Sequence, residues 1–397
     1  MAHAAPCRLL LPACGIGLVL ITLLTSCTRP VSSQKERDSL VYVGTNVGGD
    51  AQESTIFLYR LSAATGALTR VSAQRGGPNP TYLAMPASRR FLYAVNETQT
   101  FQGAASGGVS AFAVDPRTGD LKLLNQQPST GASPCYISLD RAGKAAMVAN
   151  YMGGNVALLP VAADGKLAPP SATNQHQGTG PHKNQNGPHA HCLLPDPANK
   201  YAFAVDLGTD KVYGYQLAAG QGQLKAMAEP AFVTKPGAGP RHLTFHPNGR
   251  VAYLINELNS TVTALAYDAA AGRFKELQTV SALPTGFEGA NSCADIHVSP
   301  DGLFLYASNR GHNSIAVYAI DTSNGTLAPL QHMSTQGNTP RNFALTPSGK
   351  LLLVANQNSN NVVVFRVDQQ TGLLTAAQQT TEVPSPMFLQ VVDDFTK

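Results

Sequence analysis

The sequence predicts an all-β protein, a seven-bladed β-propeller of four-stranded antiparallel blades whose ring is closed by pairing of the N- and C-terminal strands. Three observations predict it. The composition has 36 Gly, 27 Pro and 43% apolar residues but only 13% charged ones, about half the usual ~25% share, as a loop-rich, packed β chain would. A disordered chain and a coiled coil are excluded. A single hairpin pattern recurs along the chain, and its spacing fills everything after residue 39. At ~150 residues per domain the 397 residues would suggest two or three domains, but radial repeats absorb such lengths in one body.

The first segment reads as an export signal. Residues 1–26 carry one basic residue (Arg8), a mostly apolar run from Leu9 to Leu24 and small residues ahead of Cys27, a stretch too short and badly flanked for a membrane span. Leu24-Thr25-Ser26-Cys27 resembles the bacterial lipobox, which implies that Cys27 becomes the lipid-carrying first residue of the mature chain. Residues 27–39 are polar and suit a tether. The propeller is then expected over 40–397, exported and held at a membrane only through that lipid. Removing Cys7 and Cys14 with the signal and assigning Cys27 to lipid leaves Cys135, Cys192 and Cys293, too few and too far apart for a disulfide framework.

The repeat is clearest in three stretches. His246-Pro-Asn-Gly-Arg-Val-Ala-Tyr-Leu-Ile-Asn256, Ser299-Pro-Asp-Gly-Leu-Phe-Leu-Tyr-Ala-Ser-Asn309 and Thr346-Pro-Ser-Gly-Lys-Leu-Leu-Leu-Val-Ala-Asn356 each place a Pro-x-Gly turn before an apolar strand that stops at Asn. Weaker copies run Met85 to Asn96, Leu139 to Asn150 and Pro195 to Asp206, and Val41 to Asn46 has the ending without the turn. Each is followed by a polar turn, a second alternating strand such as Asn361 to Val367, a Thr-Gly or Asn-Gly turn, and a last strand. Glycine at these turns accommodates positive φ at little cost. The markers Asn46, Asn96, Asn150, Asp206, Asn256, Asn309 and Asn356 lie 50, 54, 56, 50, 53 and 47 residues apart. Seven four-stranded units repeated radially bury each blade on the next and leave few open edges.

Ring closure is also legible. The first strand, Leu40 to Thr45, matches a second strand of the later units, whereas Ser385 to Val392 resembles the first strand at Thr339 to Leu345. The C-terminal segment is therefore expected to complete the blade begun at the N-terminus.

In such a hairpin the first strand starts and the second ends on one face, around the central channel. Aligning the units places Thr81, Cys135, His191, Arg241, Ala294, Arg341 and Met387 at first-strand entrances, and Glu97, Tyr151, Leu207, Glu257, Arg310 and Gln357 at second-strand exits. A chain with little charge thus gathers Glu97, Arg241, Glu257, Arg310, Arg341 and His191 at one mouth. Convergent polar groups in a concave site are the default active-site hypothesis. His242 and His246 read as packing or turn residues, and the repeated Asn residues as ties to backbone.

The sequence resembles the seven-bladed lactonase family, which contains the propeller type of 6-phosphogluconolactonase and the fungal 3-carboxy-cis,cis-muconate lactonizing enzyme. Carrying the resemblance are Gly187-Pro-His-Ala-His191, Gly239 to Gly249, Asn256-Glu257-Leu258, Ala294-Asp-Ile-His297, Ala307-Ser-Asn-Arg-Gly311 and Thr339-Pro-Arg-Asn-Phe343. The resemblance implies a lactone hydrolase acting on sugar or sugar-phosphate lactones. Its catalytic His, Arg and Glu carry over as His191 (or His189), Arg241 and Glu257, with Arg310 as a fourth. Read from the residues themselves, Arg310 and Arg341 suit an anionic substituent, and Asp295 and His297, on one side of their strand, are either a substrate-binding pair or a satisfied inner-strand hydrogen bond; His189 is otherwise a substrate-binding candidate. Either His191 or Glu257 could act as the base, while Arg241 would hold an oxyanion, carboxylate or phosphate in bidentate fashion. The departure from the family is the export signal.

The remaining expectations are negative or alternative. No cofactor and no metal is implied, because the histidines near 176–191 lack tight ligand spacing. A net charge of +4 with no basic run advertises no nucleic-acid face; the partner is a small, anionic lactone, and the chain a monomer. Pro169 to Pro188 breaks the blade rhythm and reads as a loop or lid over the mouth. Cycloisomerisation of a muconate would use much the same groups. A non-catalytic, membrane-anchored propeller binding an anion is the alternative from a different class.

Overall fold

The computed structural model describes Met1, residues 37–48 and residues 53–396. Cys27 and most of the segment assigned to signal and tether lie outside the described residues. No helix among the described residues is long and apolar enough to cross a membrane.

Six blades follow one another as consecutive antiparallel strands: blade 1 over 82–128, blade 2 over 134–175, blade 3 over 190–233, blade 4 over 240–281, blade 5 over 292–334 and blade 6 over 340–382. Blade 7 is composite. Its first strand is Pro386–Asp393, paired with Ser39–Thr45, which continues into Ile56–Leu61 and Leu68–Gln74. The ring therefore closes as the sequence predicts.

Why these strands stack follows from their pattern. The second strands, such as Val251–Asn256 and Leu351–Asn356, are buried along their whole length, because alternate side chains point to the two neighbouring blades. Val251, Tyr253 and Ile255 join Leu305, Ala307 and Ala316 of blade 5. Ala252 and Leu254 join Phe203, Val205 and Val212 of blade 3. Each apolar cluster of the molecule is an interface between two adjacent blades of this kind.

Tyrosines add polar ties across those interfaces. The hydroxyls of Tyr42, Tyr93, Tyr253 and Tyr306 donate to the carbonyls of Gly119, Gly165, Gly325 and Gly372, each in the outer hairpin turn of the next blade, at 2.8 to 3.0 Å. Gly325 has φ +82°, and a Cβ there would meet Val251 at 2.8 Å, so the turn can approach its neighbour only as glycine. At the opposite end four of the markers tie backbone as expected, whereas Asn256 Nδ2 donates to the hydroxyls of Thr261 and Thr263. Asn96 Nδ2 donates to the carbonyls of Gly76 and Pro78, and Asn150, Asn309 and Asn356 donate to those of Ser129, Ala282 and Thr335.

Candidate active site

The residues aligned at the first-strand entrances share a backbone feature that the sequence does not reveal. Cys135, His191, Arg241, Arg341 and Met387 each occupy a break in register between the first and second strands, and blade 5 has the same break over Ala294 and Asp295. In blade 4, Pro240 faces Asn256 and His242 faces Ile255, so Arg241 is an extra residue. A β-bulge of this kind frees one residue from the ladder and re-aims its side chain. Six bulges around the ring therefore turn six side chains toward the mouth.

Arg241 is the centre of the arrangement. It is buried, yet carries three polar contacts: Nη1 donates to the carbonyl of Ala294 at 2.6 Å, Nε lies 3.1 Å from Glu257 Oε2, and Nη1 lies 3.2 and 3.5 Å from the two ring nitrogens of His242. Being near both nitrogens, the guanidinium sits over the imidazole face rather than on one lone pair. The Nε contact is an ion pair without hydrogen-bond alignment. Glu257 Oε2 also receives Arg310 Nη2 at 2.9 Å, and the same Nη2 donates to the carbonyl of Cys293 at 3.0 Å. Burial raises the Glu257 carboxyl, but Arg310, Arg241 and Arg341 outweigh it and hold the group below its ordinary value. Glu257 is thus an ionised brace between two arginines. Burial, then Arg310 and Arg341, lower Arg241 to about 10, so it stays charged at neutral pH.

His191 faces this cluster from blade 3. Burial, then Arg241, His242 and Arg341, keep its imidazole well below the usual histidine range, and it is therefore neutral near pH 7. Its Nδ1 lies 3.6 Å from Cys135 Sγ, and its ring makes edge contacts with Tyr151 and His242 at 5.4 and 5.3 Å. His189 stacks on Tyr151 at 4.5 Å and donates from Nδ1 to the Tyr151 carbonyl at 3.0 Å. Arg341 has no carboxylate within ion-pair distance among the described residues.

Beneath the mouth the channel is filled. Tyr82 packs on Tyr136 and Phe388 at 4.3 and 3.9 Å, and both tyrosines meet the edge of His242. His242 donates from Nδ1 to Asp295 Oδ1 at 2.8 Å; burial, then Arg241, bring its imidazole down to about 4, so this floor residue is neutral. Asp295 also accepts from His297 Nε2 at 2.9 Å and from Asn342 Nδ2 at 2.5 Å. Burial alone would raise this carboxyl, but His297 and His242 hold it far below the normal range. His297 stands three residues below the entrance, about 10 Å along the strand, against Phe343. Asp295 and His297 are thus joined as a pair, but support the floor rather than the rim.

His242 packs as the sequence suggests, against Tyr82, Tyr136 and His191, and the bulge at Arg241 places it beneath that arginine, bonded to Asp295. One reading of the sequence needs correction. Pro169 to Pro188 does not break the blade rhythm throughout, since Ala172–Gln175 is the outermost strand of blade 2. The loop after it is pinned by His176, which contacts Asp206 and Tyr215 at 2.6 and 2.7 Å, and by buried Gln185, bonded to Leu207 and Asp210. His246 is the turn residue expected, bonded to Gly302 and Asn248. Cys135, Cys192 and Cys293 are free and buried, and burial raises all three thiols. Among the described residues no group of three or more His, Cys, Asp or Glu is placed to hold a metal ion.

Comparison with known proteins identifies the family. Residues 40–391 match the model of the family described as lactonase, 7-bladed beta-propeller. The chain is 40% identical over 304 residues to a 6-phosphogluconolactonase of Bacillus subtilis, covering 76% of this chain and 83% of the relative. It is 39% identical over 271 residues to a 6-phosphogluconolactonase of Formosa agariphila, covering 67% and 75%. Among solved structures, the periplasmic gluconolactonase of Pseudomonas aeruginosa superposes with a TM-score of 0.84 at 37% identity, over 89% of this chain and 99% of that one. By the family match over residues 40–391 and these relatives, the chain belongs to the seven-bladed β-propeller lactonase family.

Proposed function

We propose that this mouth hydrolyses a sugar lactone, phosphorylated or not, with Arg241, His191 and Glu257 in distinct roles. The observation that carries the reading is a buried guanidinium, braced by an ionised Glu257, beside a neutral His191. Lactone opening requires a proton acceptor for the attacking water, positive charge for the oxyanion, and a proton for the leaving ring oxygen. His191, neutral at working pH, takes the water's proton as the oxygen adds to the carbonyl carbon. Negative charge then developing on the carbonyl oxygen offsets Arg241 and Arg341, which otherwise depress His191, so proton uptake and oxyanion formation support each other. The imidazolium returns its proton to the ring oxygen as that carbon–oxygen bond breaks. Glu257 serves as the brace, because a carboxylate held by two arginines is a weak base. Arg310 and Arg341 suit a phosphate or carboxylate substituent.

The site is proposed to work outside the cytoplasm. The Pseudomonas aeruginosa relative is periplasmic by name, and the Leu24 to Cys27 motif supports lipid attachment at Cys27. The strand Ser39–Thr45 ends at the mouth face, where Thr45 pairs with Pro386, so the chain enters from the opposite face at Ser39. Palmitate labelling that is lost in Cys27→Ala tests the anchor.

The activity is tested by offering purified protein 6-phosphogluconolactone, glucono-1,5-lactone and muconolactone and measuring ring opening above the spontaneous rate. Turnover of the sugar lactones is expected. Failure on all three, with tight binding of an anion, would replace the enzyme by a binding module.

A further inference from the structure

The mouth contains a second carboxylate in the same backbone frame as Glu257, but without its cations. Glu257 N donates to the carbonyl of Gly239, two residues before Arg241; Glu97 N donates to that of Asn79, two residues before Thr81. Blade 1 thus repeats the Arg241 and Glu257 pair of blade 4 as Thr81 and Glu97. Where Glu257 is met by two arginines, Glu97 Oε2 and Thr81 Oγ1 are both buried with no hydrogen-bond partner. Glu97 lies near Cys135 at the entrance of the next blade, whose thiol is raised by burial and then by Glu97.

A buried carboxylate oxygen without a donor is costly, and a group of this kind calls for a partner from outside the chain, a ligand or an ordered water. The mouth is also sided. Arg241, Arg310 and Arg341 lie on blades 4, 5 and 6, whereas Glu97 and Thr81 lie on blade 1, across the ring from the Arg241 and Glu257 pair. An anion is repelled by Glu97; an alcohol hydroxyl donates to it and can accept from Thr81.

We propose that Thr81 and Glu97 form a hydroxyl-binding subsite that selects polyhydroxylated lactones and their open-chain acids over unsubstituted ones. This subsite deepens the hydrolase reading and rests on it. It assigns the ligand's ends: acyl carbon and anionic groups toward the arginines, secondary hydroxyls toward blade 1.

The test uses Glu97→Gln and Thr81→Val, with gluconate and hexanoate as probes in titration calorimetry and glucono-1,5-lactone and δ-valerolactone in turnover. Gluconate and hexanoate share the carboxylate and chain length and differ in hydroxyls. The wild type is expected to prefer gluconate by about tenfold or more, the range of one charge-assisted hydrogen bond. Glu97→Gln should remove most of that preference and raise KM for glucono-1,5-lactone by a clearly larger factor than KM for δ-valerolactone; Thr81→Val should act in the same direction more weakly. Equal effects on hydroxylated and unsubstituted ligands, or gluconate affinity within twofold of wild type in both variants, would overturn the subsite. If the wild type opens lactones yet shows no hydroxyl preference, the subsite alone fails. If it neither opens a lactone nor binds gluconate, the hydrolase reading fails with it.

Discussion

Replacing Asp295 by Asn changes one atom and should disturb both the stability and the chemistry of the site. Asp295 Oδ1 accepts from His242 Nδ1 and from the Ile296 amide at 2.8 and 3.0 Å, and Oδ2 accepts from His297 Nε2 and Asn342 Nδ2 at 2.9 and 2.5 Å. An asparagine with its oxygen toward His242 turns its NH2 toward the Asn342 NH2. Asn342 cannot simply flip, because its Oδ1 accepts from the Leu389 amide at 2.9 Å on the ring-closing strand. One buried donor is left unpaired, at about 1–3 kcal/mol, and the charge-assisted bonds become neutral. Breaking such a buried charged cluster costs about 3–5 kcal/mol in all.

Urea unfolding followed by tyrosine fluorescence should read this as a lower midpoint at unchanged m-value. His242 would also lose its fixed ring orientation beneath Arg241, so kcat should fall by roughly tenfold or more while KM changes less. A variant within 1 kcal/mol of wild type and fully active would refute the idea that Asp295 positions Arg241 through His242.

Three further outcomes follow from the same contacts. Glu257→Gln leaves Arg241 and Arg310 without their shared carboxylate, and should destabilise the fold by about 3 kcal/mol and reduce turnover; because the folded carboxyl lies below its ordinary value, the contribution is present above about pH 4 and is lost as pH falls through the folded value, so chemical denaturation of both proteins should converge in acid. His191 and His242 are held below the usual ~6.5, so the acid limb of kcat/KM should lie below that of a free imidazole, and wild-type stability should decline as pH drops from about 6.5, where the unfolded imidazoles take up protons that the folded ones resist; an acid limb at 6.5 would remove His191 as the neutral base. Ending the chain at Pro384 deletes the strand Pro386–Asp393 with buried Met387, Phe388 and Leu389, roughly 5–9 kcal/mol of apolar burial against a typical total of about 5–15, and the truncated protein should lose its cooperative thermal transition; an unchanged melting temperature would contradict ring closure.

The architecture was readable because a propeller repeats its local chemistry. Pro-x-Gly turns, apolar second strands and terminal Asn residues each satisfy a constraint that every blade faces, and the missing first strand at Leu40 pointed to Pro386. The site was readable in part for the opposite reason: Arg241, Glu257, Arg310 and His191 differ where the blades should be alike. What could not be read was the bulge. Strict alternation sends Arg241 and His242 to opposite faces, and only the extra residue between Pro240 and His242 lets His242 lie beneath Arg241. The two carboxylates could not be ranked from sequence either, since Glu257 and Glu97 occupy equivalent positions and only their neighbours, two arginines against a threonine, separate brace from acceptor. Pro169 to Pro188 misled through its Gly, Asn and Gln content, because a short outermost strand needs few apolar residues.

The most direct test of the account is lactone turnover by Arg241→Lys. Lysine keeps the positive charge but cannot reproduce the planar contacts with Ala294, Glu257 and the His242 face. With the β-sheet circular dichroism retained, kcat/KM for glucono-1,5-lactone or its 6-phosphate should fall by about 10²–10³, the scale of losing one oxyanion donor. Activity within threefold of wild type would contradict the assignment of Arg241 as the group that holds the reacting carbonyl.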